Sequence, residues 1–183
     1  MGRLLVIDGA SCSGKSTVVQ QVLNTPGLDI VFARRYTSRA TRPGDEAEDN
    51  YYFVDPQTYR EMVEADAFLE HKDYLFGMSY GLPRKETGEL LRQHDWVLAL
   101  INLGRFAVVK RELPDALGVL LTVPVPTVER RLRKRGTSNE EQIEERLGNA
   151  RRSFGYAPDY DLVVDNDDGR LEQAVAEIRA VLS

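Results

Sequence analysis

The amino-acid sequence predicts an α/β protein built on a doubly wound parallel sheet. Three observations predict it. Apolar runs without alternation recur along the chain, as strands buried on both faces require: Leu4-Leu5-Val6-Ile7, Trp96-Val97-Leu98-Ala99-Leu100-Ile101 and Leu117-Gly118-Val119-Leu120-Leu121-Thr122-Val123. Segments with helical spacing stand between them. A glycine-rich turn, Gly9-Ala10-Ser11-Cys12-Ser13-Gly14-Lys15-Ser16, joins the first strand to the first helix.

That turn carries the most chemistry. It matches the pattern G-x-x-x-x-G-K-[ST] in the strand–loop–helix setting that gives the pattern meaning. Successive backbone N–H groups and the positive end of the following helix converge there on an anion. Lys15 adds a point charge for β- and γ-phosphates, and the Ser16 hydroxyl is placed to ligate Mg²⁺. Gly9, Ser11, Ser13, Gly14, Lys15, Ser16 and Thr17 are the expected nucleotide-binding residues, with ATP and Mg²⁺ the expected cofactors. Cys12 reads as a small loop residue without a partner thiol.

The remaining elements follow in order. The first helix runs through Thr17-Val18-Val19-Gln20-Gln21-Val22-Leu23, and Thr25-Pro26-Gly27 breaks it. Ile30-Val31-Phe32-Ala33 reads as a strand. Between residues 36 and 83 the pattern changes: short aromatic-rich strands such as Tyr51-Tyr52-Phe53-Val54 and one helix near 56–65 predict an inserted small subdomain. Residues 104–112, 126–135 and 140–154 are predicted helical, and Leu162-Val163-Val164 a short strand. The last helix begins after Asp168-Gly169 and carries Leu171, Val175, Ile178 and Leu182 at helical spacing. The expected organisation is one domain: a core of 1–35 and 84–183, an acceptor-binding insertion at 36–83 and a lid near 134–144.

Composition agrees. A chain of 183 residues, 42% hydrophobic and 29% charged, is ordinary for a soluble globular domain. A single Cys excludes an intramolecular disulfide framework, and the first strand begins by residue 4 without a leader, so a cytoplasmic location is expected. No apolar run is long enough to span a bilayer. A net charge of −5 argues against a nucleic-acid surface. Positive charge is local, in Arg34-Arg35 with Arg39 and Arg42, and in Arg130-Arg131 with Arg133-Lys134-Arg135, which suits small phosphorylated ligands. Arg130, Arg131 and Lys134 read as a solvated helix face. A monomer or a homodimer is expected.

The inserted region resembles a known family. Thr37-Ser38-Arg39-Ala40-Thr41-Arg42-Pro43-Gly44-Asp45 resembles the T-T-R-x-x-R-P-G-E segment of guanylate kinases. Asn50-Tyr51-Tyr52-Phe53-Val54 resembles their D-Y-x-F-V, Phe68-Leu69-Glu70 their F-I/L-E, and Ser79-Tyr80-Gly81 their Y-Y-G. Arg133-Lys134-Arg135-Gly136-Thr137, with Glu140-Glu141 and Arg146-Leu147, resembles their lid, and Val163-Val164-Asp165-Asn166-Asp167-Asp168 their V-I-V-N-D-D. The resemblance runs in order over nearly the whole chain. It implies a P-loop kinase core in which Arg39 and Arg42 fork onto an acceptor phosphate. Tyr51 and Tyr80 then donate hydroxyl hydrogen bonds, and Glu70 accepts from the N–H edge of a guanine-like base. It also implies that Arg135 and Arg146 stabilise the transferring phosphoryl group, and that Asn166 lies at the nucleotide.

The departures are specific. The position four before the first acceptor arginine, usually a small hydroxyl residue, is Arg35, and the residue after the Y-Y-G match is Leu82. Both changes imply altered guanine selectivity. The strand resembling D/E-I-D-x-x-G reads Ala99-Leu100-Ile101-Asn102-Leu103-Gly104, without its carboxylates. Asn102-Leu103-Gly104-Arg105 is similar to the N-x-x-R segment of ribose 1,5-bisphosphate phosphokinases, which makes Asn102 a further candidate acceptor contact, as Arg35 also is. Asp8, at the end of the first strand, is a candidate to orient a metal-bound water or to take a proton from an acceptor hydroxyl; it is equally placed simply to accept from loop N–H groups. The expected activity is ATP-dependent phosphoryl transfer to GMP, dGMP or a related modified nucleoside monophosphate. The alternatives are a kinase for a sugar phosphate such as ribose 1,5-bisphosphate, and a non-catalytic binding module.

Overall fold

The computed structural model describes residues 1–41, 50–73, 78–136 and 139–182. The strands are β1 (Arg3–Gly9), β2 (Ile30–Phe32), β3 (Arg35–Thr37), β4 (Tyr51–Phe53), β5 (Phe68–Asp73), β6 (Ser79–Pro83), β7 (Trp96–Leu100), β8 (Leu117–Thr122) and β9 (Leu162–Asp165). The helices are α1 (Lys15–Leu23), α2 (Pro56–Glu64), α3 (Arg84–Gln93), α4 (Phe106–Glu112), α5 (Val125–Arg135), α6 (Glu140–Ser153) and α7 (Leu171–Ala180), with a 3₁₀ turn at Phe154–Asp159. One five-stranded sheet runs β2-β7-β1-β8-β9, and β2/β7 and β8/β9 pair parallel. The non-alternating runs are its strands: Leu4 to Ile7, Val97 to Ala99 and Val119 to Leu121 are all fully buried. The α/β parallel-sheet expectation holds.

Two compact units divide the chain. The first comprises Met1–Val6 and Asp29–Ala116. It contains β2 and β7 in register Ile30 opposite Trp96, and a separate four-stranded sheet ordered β4-β3-β6-β5. There β3 pairs parallel with β4 and antiparallel with β6, and β5 pairs antiparallel with β6. The register of β5 on β6 shifts between Phe68 and Glu70. Such an irregularity re-aims side chains, and Phe68, Leu69 and Glu70 are in consequence buried in succession. Asp55 caps α2, accepting from the N–H groups of Gln57 and Thr58, with Pro56 preset at the first turn. Residues 84–93, which the sequence reading leaves without an element, form α3, with Glu86 in its first turn and Arg92 in its last.

The second unit comprises Ile7–Leu28 and Leu117–Ser183. Its helices α5 and α6 pack over Ala10 and Val123 through Val128, Leu132, Ile143, Leu147 and Ala150. A capping box starts α6: the Asn139 side chain accepts from Gln142 N–H, and the Gln142 side chain accepts from Asn139 N–H. The helix ends at Ser153, where the chain tightens into the 3₁₀ turn that carries Pro158.

Candidate active site

The phosphate-binding loop lies wholly in the second unit, and its shape explains its glycines. Gly14 adopts φ 88°, and a Cβ there would lie 2.3 Å from Asn166 Nδ2. That amide donates instead to the Ser13 carbonyl at 2.7 Å. Gly9 is also at positive φ, and a Cβ on it would lie 2.7 Å from the Leu121 carbonyl oxygen and from Ser13 Oγ. Cys12 takes the left-handed conformation at φ 61° without being glycine, a strained position that the surroundings must hold. Arg131 does so. Its Nη1 donates to the Cys12 carbonyl at 3.0 Å, and its Nη2 to the Asn166 carbonyl at 3.1 Å and to Asp168 Oδ1 at 2.8 Å. Arg131 therefore corrects the sequence reading of a solvated face. Arg130 also meets Asp168.

Lys15 opens α1, and its Nζ donates to the Gly9 and Ala10 carbonyls at 2.6 and 2.8 Å. Burial pushes its ammonium below the ordinary lysine value, against the opposing pull of the Asp8 carboxylate and of Cys12. Ser16 and Thr17 are exposed on the first helical turn, Ser11 is half-buried, and Ser13 is buried. A cavity of about 530 Å³ opens beside the loop, lined among others by Cys12, Gly14, Thr17, Arg131, Asn166 and Asp168. Asp8 is fully buried. Its Oδ1 accepts from Gly9 N–H at 2.6 Å and its Oδ2 from the Tyr160 hydroxyl. Tyr160 and Arg131 are the loop contacts that sequence reading missed. No spacing marks Tyr160, and the basic run hid Arg131. Arg135 is exposed at the end of α5, and Arg146 is half-buried on α6.

The first unit gathers the other candidates around the small sheet. Arg39 is largely buried, its guanidinium 5.1 Å from the centroids of both Tyr51 and Phe53, with Nη1 donating to the Ala40 carbonyl at 2.9 Å. The Tyr51 and Tyr80 rings meet edge-on at 5.8 Å. Arg42 lies outside the described residues. Glu70, 1% exposed, accepts from Arg35 Nη2 at 2.8 Å on Oε1. It also accepts from Asn102 Nδ2 at 3.3 Å on Oε1 and 3.0 Å on Oε2. The Asn102 amide also reaches the Tyr80 carbonyl at 3.3 Å. Arg35, 5% exposed, lies 5.5 Å from the centroid of Tyr80. Sequence reading named all four residues, but not that Arg35 and Asn102 meet on Glu70.

A family model described as guanylate kinase matches residues 1–183. The chain belongs to the guanylate kinase family. A guanylate kinase of Thermus thermophilus is 38% identical over 183 residues, covering 100% of this chain and 81% of that protein. One of Synechococcus sp. (strain JA-3-3Ab) is 37% identical over 182 residues, covering 99% and 82%. One of Escherichia coli (strain K12) is 30% identical over 183 residues, covering 99% and 87%. A crystal structure of guanylate kinase from Anaplasma phagocytophilum superposes with a TM-score of 0.74 at 24% identity, covering 99% of this chain and 84% of that one, and shows the same fold. Against the guanylate kinase pattern, the two departures at the small hydroxyl positions differ in kind. Leu82 is fully buried opposite Glu70 in the β5/β6 register and adds no polar group. Arg35 adds a charge directly on Glu70. No helix among the described residues is long and apolar enough to cross a membrane.

Proposed function

We propose that this protein transfers the γ-phosphoryl group of ATP to the phosphate of GMP or a closely related purine nucleoside monophosphate. The observation that carries the reading is an intact phosphate-binding loop, braced at Ser13 by Asn166 and at Cys12 by Arg131, in a chain that matches the guanylate kinase family along its length. A non-catalytic module has no need of Lys15 and Ser16 together, and the curated relatives are named as kinases of a nucleotide rather than of a sugar phosphate.

Phosphoryl transfer is mostly positioning and charge stabilisation. The loop N–H groups and the N-terminus of α1 receive the donor phosphates. Lys15 exchanges its two carbonyl contacts for phosphate oxygens. Arg39, preorganised against Tyr51 and Phe53, and Arg42 receive the acceptor phosphate. Arg135 and Arg146 add positive charge at the group in flight. Because the acceptor phosphate is already ionised, no general base is required, and Asp8 serves as an anchor for the loop backbone. Mg²⁺ fits the exposed Ser16 hydroxyl at the first turn of α1 better than Asp8, whose two oxygens already accept from Gly9 and Tyr160. When bound with ATP, the ion neutralises β- and γ-phosphate charge. The single cysteine suits a reducing, cytoplasmic setting.

Incubation with ATP, Mg²⁺ and GMP is expected to yield ADP and GDP in equal amounts. Lys15→Ala is expected to lower kcat by more than about 100-fold with an unchanged circular dichroism spectrum. ADP release without GDP, or a folded Lys15→Ala protein of full activity, overturns the reading.

A further inference from the structure

The buried cluster on Glu70 bears on which base the acceptor carries, an inference that rests on the nucleotide-kinase reading above. An ionised carboxylate offers about four lone-pair directions. On Glu70, Arg35 Nη2 donates to Oε1, and the Asn102 amide N–H that faces the carboxylate is shared between Oε1 and Oε2, so that Oε1 holds two donors. Guanine presents two adjacent donors on its pairing edge, the N1–H and the 2-amino group, and a carboxylate that reads both must give each an oxygen. The present contacts do not leave that room.

Freeing Glu70 is also unfavourable for Arg35. The Arg35–Glu70 pair is almost completely removed from water, at 6% and 0% side-chain exposure. Arg35 Nε is buried with no hydrogen-bond partner among the described residues, so the guanidinium is compensated by its Nη2 contact and by the face of Tyr80. Moving Glu70 onto a ligand base strips a buried cation of its counter-charge, which is the most destabilising way to perturb such a pair. Asn102 reinforces the arrangement, because one amide nitrogen ties Glu70 to the backbone of Tyr80. Leu82, opposite Glu70 on β6, brings no hydroxyl to read the base in its place.

We propose that Arg35 is a specificity-determining residue: by holding Glu70 in a buried pair with Asn102 it withdraws that carboxylate from base reading, so that 6-oxopurine monophosphates are phosphorylated with little regard for the 2-amino group. GMP and IMP differ only in that group, and a site built to bond an N–H rejects the analogue that lacks it by orders of magnitude.

The test is kcat/KM for GMP and for IMP, in the wild type, Arg35→Ser and Glu70→Gln. The wild type is expected to favour GMP by less than about tenfold. Arg35→Ser releases Glu70 and is expected to raise the GMP-to-IMP ratio by about tenfold or more. Glu70→Gln is expected to lower melting temperature and to slow both substrates alike, leaving the ratio unchanged. A wild-type ratio above that limit, an unchanged or lower ratio in Arg35→Ser, or a selective loss of GMP in Glu70→Gln each overturns the proposal. The wild-type and Glu70→Gln arms decide it if Arg35→Ser does not fold. Failure of both purines to react at all overturns the kinase reading itself, a result distinct from efficient but strictly guanine-selective turnover.

Discussion

Lys15 shows how a single side chain is set by its surroundings. Its ammonium is held by two loop carbonyls, and burial lowers its pKa. The charged form is the one that attracts phosphate, so ATP affinity falls as pH rises through this lowered value. The loss therefore begins at lower pH than for an ordinary lysine, which titrates near 10.5. Titration of ATP binding against pH should show an alkaline decline in the wild type that Lys15→Met flattens. A wild-type affinity that holds constant until ordinary lysines titrate contradicts the assignment. Cys12 makes the same point in backbone terms: a non-glycine residue at positive φ persists because Arg131 grips its carbonyl.

At the scale of elements, local chemistry starts and stops the helices. Helix α6 begins with a reciprocal capping box at Asn139 and Gln142, places Glu140 and Glu141 in its first turn and carries Arg151 and Arg152 in its last. Asn139→Ala removes the cap and is expected to lower stability by about 1 kcal/mol, read as a shift of the urea midpoint at unchanged slope. A midpoint equal to the wild type indicates that packing on Ile143 and Leu147, rather than the cap, holds this end. Helix α1 has no side-chain cap; left-handed Gly14 precedes it, leaving its first N–H groups facing outward for an anion. The small sheet works differently. The register shift in β5 buries three consecutive side chains and so delivers a carboxylate to the buried Arg35 and Asn102.

At the scale of the molecule, ties between distant parts of the chain hold the glycine-rich loop. The Tyr160 hydroxyl donates to Asp8 across 152 positions, and Asn166 reaches Ser13 across 153. Tyr160→Phe removes one hydrogen bond to the fully buried Asp8 carboxylate, with an expected loss of about 1–3 kcal/mol and weaker ATP binding, measured by thermal unfolding with and without nucleotide. A variant as stable as the wild type and with equal ATP affinity shows that Asp8 does not position the loop through Tyr160.

The sequence by itself determined the layered α/β architecture, the phosphate-binding loop and the family. Those follow from unbroken apolar runs and from motifs whose residues are close in the chain, so local spacing carries the physics. Helix α3 escaped that reading. Only the tertiary structure decided the partners of the buried charges. Arg35 and Glu70 are 35 positions apart, Glu70 and Asn102 are 32 apart, and nothing in the spacing states that they meet. Arg131 looked solvated because a basic run on a helix ordinarily is, until folding set it over the Cys12 and Asn166 carbonyls. Burial makes such pairings consequential: in water each group would be hydrated separately, whereas inside the protein a charge must find its partner within the fold.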